Sequence, residues 1–208
     1  ICSVVLTGAL TVGDSVRYTL RVLAEKRIGK GDVAMLSPDG FFEEDLAKRI
    51  YSKLEDNNSI VAPIALSRGT ITSPDGSVRV SNVQVLGVDE RFWKLAPDFS
   101  HTPQGIWSMK KEFREWGPQV FFVNERLNQR LKKEIGDRLI LRMEEPSLFS
   151  RDAPLSGERD NKFVTMNQEL GGVIPAEGFG HFGLQGNQRE PLTIFVALES
   201  LQRKLFRS

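Results

Sequence analysis

The sequence predicts an α+β fold, because three features agree. Strand-like runs cluster around hairpin punctuation, helical periodicities are few, and the two kinds of segment do not alternate regularly. Regular alternation would instead predict a doubly wound parallel sheet. With 208 residues, 40% of them hydrophobic and 26% charged, the chain can bury roughly 70% of the surface its unfolded form exposes. It therefore needs neither a disulfide nor a metal to fold, and whole-chain disorder is excluded.

The chain opens with the uncharged run Ile1-Cys2-Ser3-Val4-Val5-Leu6-Thr7-Gly8-Ala9-Leu10-Thr11-Val12-Gly13. A membrane span takes about 20 residues, so residues 1–13 read as a buried strand or as the outer end of a membrane helix. A signal peptide is disfavoured, since no positive region precedes the apolar run. Asp14 and Ser15 are N-cap residues. Val16, Leu20, Leu23 and Ala24 then recur near helical spacing, with Lys26 and Arg27 in the last turn and Gly29 as C-cap. A helix over 15–28 follows.

Residues 32–37 form a short apolar run before the Pro38-Asp39-Gly40 turn signal and predict a strand. From Phe41 to Leu54 the fourfold spacing of Phe42, Leu46, Ile50 and Leu54 predicts a second helix. Glu43, Glu44 and Asp45 suit the positive end of its dipole. Runs 60–72 and 77–88 flank Ser73-Pro74-Asp75-Gly76 and predict a hairpin, with a bulge or register break near Asn82. A short helix over 90–95 comes next. Residues 96–119 are punctuated by Pro and Gly, hold Trp107 and Trp116, and mark a candidate boundary between subdomains.

Val120 to Val123 reads as a strand, Asn124 as the N-cap of a helix running through Ile135, and Gly136-Asp137 as a tight turn into a strand over 138–143. Residues 144–160, rich in Pro, Ser and charge, read as a long exposed loop. Lys162 to Glu177 suggests an extended pair with Gly171-Gly172 inside it. Residues 178–191 are polar and Gly-rich. Leu192 to Val196 closes the strand inventory, and a terminal helix over 199–208 opens at Glu199-Ser200.

Few residues suggest chemistry. Net charge is +1, from 28 basic and 27 acidic side chains. The basic runs at 126–133 and 203–207 are short, and the first has helical spacing, so they read as solvated helix faces and no nucleic-acid partner is expected. Cys2 stands alone, which excludes a disulfide framework and a cysteine-based metal site. His101 and His181 lie in Gly/Pro-rich segments without a second ligand at metal spacing. No Gly-x-Ser-x-Gly elbow occurs. The acidic groups Glu43-Glu44-Asp45 and Glu144-Glu145 are neighbours on one element, which rarely face each other across a cleft.

The glycines of residues 178–186 lack the Gly-Lys-Ser/Thr of a phosphate loop and the strand–helix context of a dinucleotide loop. They read as a flexible surface loop, or as a partner-binding tip in which Phe179, His181, Phe182 and Leu184 make the contacts. No catalytic, cofactor-binding or metal-binding residue is assigned, and no cofactor is expected. A free-standing secreted module gripping a peptide, glycan or lipoprotein through the 144–160 and 178–190 loops is an alternative reading. An enzyme with residues dispersed around His101 or His181 is a third.

Four segments together carry a resemblance. Residues 5–17, Val-Leu-Thr-Gly-Ala-Leu-Thr-Val-Gly-Asp-Ser-Val-Arg, look like the outer end of a first membrane helix running into an amphipathic extension. Val85-Leu86-Gly87-Val88-Asp89-Glu90-Arg91-Phe92-Trp93 is similar to a V-x-G-V-D-then-aromatic element. Val123-Asn124-Glu125-Arg126-Leu127 with Lys133-Glu134-Ile135-Gly136-Asp137-Arg138-Leu139 resembles an N-E-x-L-A … G-D-x-L segment, with Asn128 where a small apolar residue is usual. Leu192 to Leu201 looks like an apolar strand closing in L-x-x-L-Q. In order and spacing these resemble the extracytoplasmic MacB-like periplasmic core domain of FtsX/MacB-type ABC-transporter permeases.

The resemblance implies a porter-like α/β subdomain over 14–98 and a mostly β, sabre-like subdomain over 99–198. It also implies a non-catalytic role on the periplasmic side of the inner membrane. There the domain would couple ATP-driven membrane-helix motion to export or release of a substrate. The implied partners are a cytoplasmic ATPase subunit, reached through the membrane part of the full-length protein, a second permease copy and the transported substrate.

Overall fold

The computed structural model describes residues 2–37, 40–43, 45–54, 58–103, 120–144, 163–184 and 190–206. Helix α1 (Cys2–Ile28) is followed by α2 (Leu46–Lys53), the strands β1 (Ala65–Thr72) and β2 (Arg79–Val88), and α3 (Glu90–Lys94). Then come β3 (Val120–Asn124), α4 (Glu125–Leu131), β4 (Arg138–Glu144), β5 (Phe163–Ile174), β6 (Thr193–Ala197) and α5 (Leu198–Phe206).

The six strands close into one barrel in the order β1-β2-β6-β3-β5-β4, with β4 returning to β1. The β2/β6 and β3/β5 pairs are parallel and the other four antiparallel. This corrects the expectation of a porter-like α/β part beside a sabre-like β part. Strands from 65–88 and from 120–197 belong to a single barrel. The cause is non-local pairing: Gln84–Val88 of β2 takes β6 as its parallel neighbour, and Gly69–Thr72 of β1 takes β4. Both edges of the β1–β2 hairpin are thus occupied by distant sequence, and closure removes the unpaired edges that an open sheet would carry.

Apolar side chains alternate inward along the strands. Ile71, Val83, Val85, Leu139, Leu141, Met143, Leu170, Ile194 and Val196 are almost wholly buried in one cluster. Leu127 and Leu131 of α4 and Leu201 and Leu205 of α5 complete it. A second cluster gathers Leu86, Val88, Phe92, Trp93, Phe122, Ile174, Phe179, Phe182 and Phe195.

Several expectations change in detail. Residues 32–37 join no sheet, and Val33 is 91% exposed. A closed barrel leaves this apolar run no edge to pair with. The second helix begins at Leu46 rather than Phe41. The 124–135 helix ends at Leu131, where Lys132 turns left-handed (φ 51°, ψ 43°) and its N–H donates to Asn128 O at 2.8 Å. Instead of an extended pair over 162–177 there is one long strand, β5, which pairs β4 along Phe163–Glu169 and β3 along Glu169–Ile174. Residues 2–13 belong to the helix rather than to a strand, so α1 runs unbroken from Cys2. Trp107, Trp116 and nearly all of the 144–160 loop lie outside the described residues.

Candidate functional site: the joint between the long helix and the barrel

From Val12 to Arg21 every side chain of α1 is exposed, including Tyr18 at 71% and Val12 at 64%. Among the described residues the side-chain hydrogen bonds of this stretch run along the helix itself, Arg21 Nε to Glu25 at 2.9 Å and Thr19 Oγ1 to Ser15 O at 2.8 Å. Among the described residues no helix is long and apolar enough to cross a membrane.

The helix meets the barrel at its C-terminal end. Gly29 adopts φ +64° and its N–H donates to Glu25 O at 2.9 Å, which ends the helix in the left-handed manner that glycine permits. Lys30 N–H then donates to Leu95 O at 2.8 Å. A Cβ on Gly29 would lie 2.6 Å from Phe179 Cε1 and would overlap Leu95 O. The absence of a side chain is what lets the helix end seat there.

The seat is built by α3 and by the turn after β5. Asp89 caps α3: its Oδ1 accepts from Arg91 N–H at 2.9 Å and Phe92 N–H at 3.3 Å, and Arg91 Nη2 holds Oδ2 at 2.6 Å. This fixes Phe92 at the centre of an aromatic group. Phe179 stacks on Phe92 with centroids 4.8 Å apart, and Phe182 meets Phe92 edge-on at 5.0 Å and Phe179 edge-on at 5.1 Å. Trp93 lies 5.3 Å from Phe195 of β6, which ties the group to the barrel wall.

Asn124 holds the other side of the same turn. Its side chain is buried and saturated: Oδ1 accepts from Leu127 N–H at 3.0 Å and Thr193 N–H at 3.1 Å, while Nδ2 donates to Gly180 O at 3.0 Å and Pro191 O at 2.9 Å. One residue caps α4, receives the first N–H of β6, and clamps the turn after Phe179.

The residues expected at a partner-binding tip are distributed differently. Phe179 and Phe182 are 1% and 6% exposed, so their rings belong to the core rather than to a surface loop, and Leu184 packs partly buried against them. The hydrophobic group that periodicity could not find is hidden in glycine-rich sequence. His181 remains half-exposed, with Nε2 3.4 Å from Glu190. Gly29 and Asn124 were legible as caps, but their second contacts, to Phe179 and to Gly180, are not local and left no sequence signal.

The arrangement around His101 bears on hydrolysis. Asp98 Oδ2 and Ser100 Oγ both approach His101 Nδ1, at 3.0 and 3.2 Å, and Ser100 Oγ donates to Asp98 Oδ1 at 2.7 Å. A nucleophilic triad needs serine and aspartate on opposite ring nitrogens. Here both crowd one nitrogen, and Asp98 is the cap of the short turn Phe99–His101. Hydrogen bonds from the Ser100 hydroxyl and N–H hold the Asp98 carboxyl below its ordinary value. Among the described residues no group of three or more His, Cys, Asp or Glu side chains is placed to hold a metal.

The site thus brings together a helix exposed from Val12 to Arg21, a glycine seat, an aromatic hub and a hydrogen-bonded clamp. No protein-family model matches the chain, and neither does any curated protein.

Proposed function

We propose that the chain is a non-catalytic, extracytoplasmic part of an ABC-transporter permease of the FtsX/MacB type, lying on the periplasmic side of the inner membrane. In that role it passes motion of a membrane helix to a β domain that gates or pushes a substrate. ATP would be hydrolysed by a separate cytoplasmic subunit, and a second permease copy would complete the assembly. The reading keeps the four-segment resemblance and drops the subdomain plan attached to it.

The observation that supports it most is the form of α1. Its 27 residues rise about 1.5 Å each, so the helix is about 40 Å long. It stands clear of the barrel along its middle and is fixed at Gly29–Lys30. A helix exposed from Val12 to Arg21 and seated at Gly29–Lys30, with an uncharged run at its start, is suited to carry displacement rather than to stabilise a core.

Expressing the chain with its native upstream residues tests this. Recovery in the membrane fraction, with a cysteine at Arg68 reacting only with reagent outside the inner membrane, is the expected result. Recovery as soluble protein would sink the reading.

A further inference from the structure

We infer that the seat of α1 and the Asn124 clamp are two ends of one conformational unit, so that lifting the helix end loosens the start of β6 and the cap of α4. This deepens the proposed function by naming where helix motion arrives, and its test needs only the chain itself.

The connection is short and close-packed. Gly29 presses on the Phe179 ring, and Phe179 is itself left-handed (φ +78°), a conformation that a bulky residue holds only when its surroundings impose it. Those surroundings are the Phe92 stack on one side and the helix end on the other. The next residue, Gly180, offers its carbonyl to Asn124 Nδ2, and its N–H donates to Pro175 O at 2.8 Å. A Cβ on Gly180 would overlap Ile174 O, so this peptide has no slack against β5. Asn124 Oδ1 in turn accepts from Thr193 and Leu127.

Withdrawing Gly29 removes one of the walls that keep Phe179 left-handed. Relaxation of Phe179 turns the following peptide, and Gly180 O leaves Asn124. Interiors packed this closely move between discrete arrangements instead of deforming gradually. Thermodynamic linkage makes the effect reciprocal: disturbing Asn124 must loosen the helix seat by the same factor.

Amide hydrogen exchange on the intact chain tests this in both directions. Gly29→Ala is expected to speed exchange of the Thr193 and Leu127 amides about tenfold, leaving the Gly76 and Val78 amides of the β1–β2 turn unchanged. Asn124→Asp keeps the acceptor for Thr193 and Leu127 but sets a carboxylate against Gly180 O and Pro191 O. It is expected to speed exchange of the Lys30 amide. Faster Lys30 exchange in Gly29→Ala with unchanged Thr193 exchange would overturn the inference. So would unchanged Lys30 exchange in Asn124→Asp, or acceleration of Gly76 and Val78 alongside the others in both variants, which would mean global loosening.

Discussion

Gly29 and Phe179 are both left-handed, at φ +64° and +78°, and they pack directly on each other. Each makes the other's conformation tenable. Glycine lets the helix end come close enough to wall in the ring, and the ring fills the space over the glycine. Gly29→Val should be costly on two counts. A non-glycine residue in this region costs about 1–2 kcal/mol, and forcing a side chain against Phe179 and the Leu95 carbonyl adds about 1–3 kcal/mol. Urea unfolding of the variant, followed by circular dichroism, should show a lower midpoint; an unchanged midpoint would mean that the helix end is not seated as described.

Asn124→Ala removes two buried acceptances and two buried donations at once. Leu127 N–H loses its cap, and Gly180 O, Pro191 O and Thr193 N–H lose a buried partner. With about 1–3 kcal/mol for a buried polar group left unpaired and about 1 kcal/mol for a cap, a loss of roughly 3–5 kcal/mol is expected. Glu125→Ala, on the exposed first turn of the same helix, should cost far less. Equal effects for the two substitutions would show that the Asn124 hydrogen bonds contribute nothing measurable to stability.

The local features of this fold could be read from residues, because their causes lie within a few positions. The break expected near Asn82 is present: Asn82 has φ 57°, and the β1–β2 register jumps from Gly69↔Val83 to Ile71↔Val80. Asn124 and Gly136-Asp137 act as the cap and turn that their types suggest. Barrel closure was not legible, because nothing in β1 announces that β4, some 70 residues later, is its second neighbour. The aromatic hub was hidden for a related reason. Phe179 and Phe182 sit among glycines with no strand or helix period, and only their burial against Phe92 reveals them as core. The apolar run at 32–37 errs in the opposite sense: its composition suits a strand, but closure leaves it without a partner.

Gly171 interrupts the β3–β5 pairing two residues beyond Glu169, which pairs with both β3 and β4. Phe121 pairs with Leu170 and Phe122 with Gly172, so Gly171 is the extra residue of a bulge. A Cβ there would overlap Val120 Cγ1 and lie 3.2 Å from Phe122 Cζ. Gly171→Ala should cost about 1–3 kcal/mol, while Gly172→Ala, whose nearest contact would be 3.3 Å to the edge of the movable Phe122 ring, should cost less. Thermal unfolding of the two variants compares them directly, and a milder effect at Gly171 than at Gly172 would place the bulge elsewhere.

Two turn carboxylates link the stability of the fold to acid. The Ser73 hydroxyl, then the Ser77 hydroxyl and N–H, hold the Asp75 carboxyl at about 2, against an ordinary value of 3.8. The Ser77 contacts are 2.8 and 3.1 Å. Asp98 is lowered too, chiefly by the Ser100 hydroxyl. A carboxyl depressed in the folded state contributes stability that is fully present above the unfolded value and is lost as pH falls through the folded one. For Asp75 that window runs from 3.8 down to about 2. Both groups are solvent-exposed, so the effect is modest and screened. Carbon-13 NMR should show the Asp75 carboxyl titrating with a midpoint well below 3.8, and Asp75→Asn should flatten part of the stability loss in that window. A midpoint at the ordinary value would mean that the Ser73 and Ser77 contacts do not persist in solution.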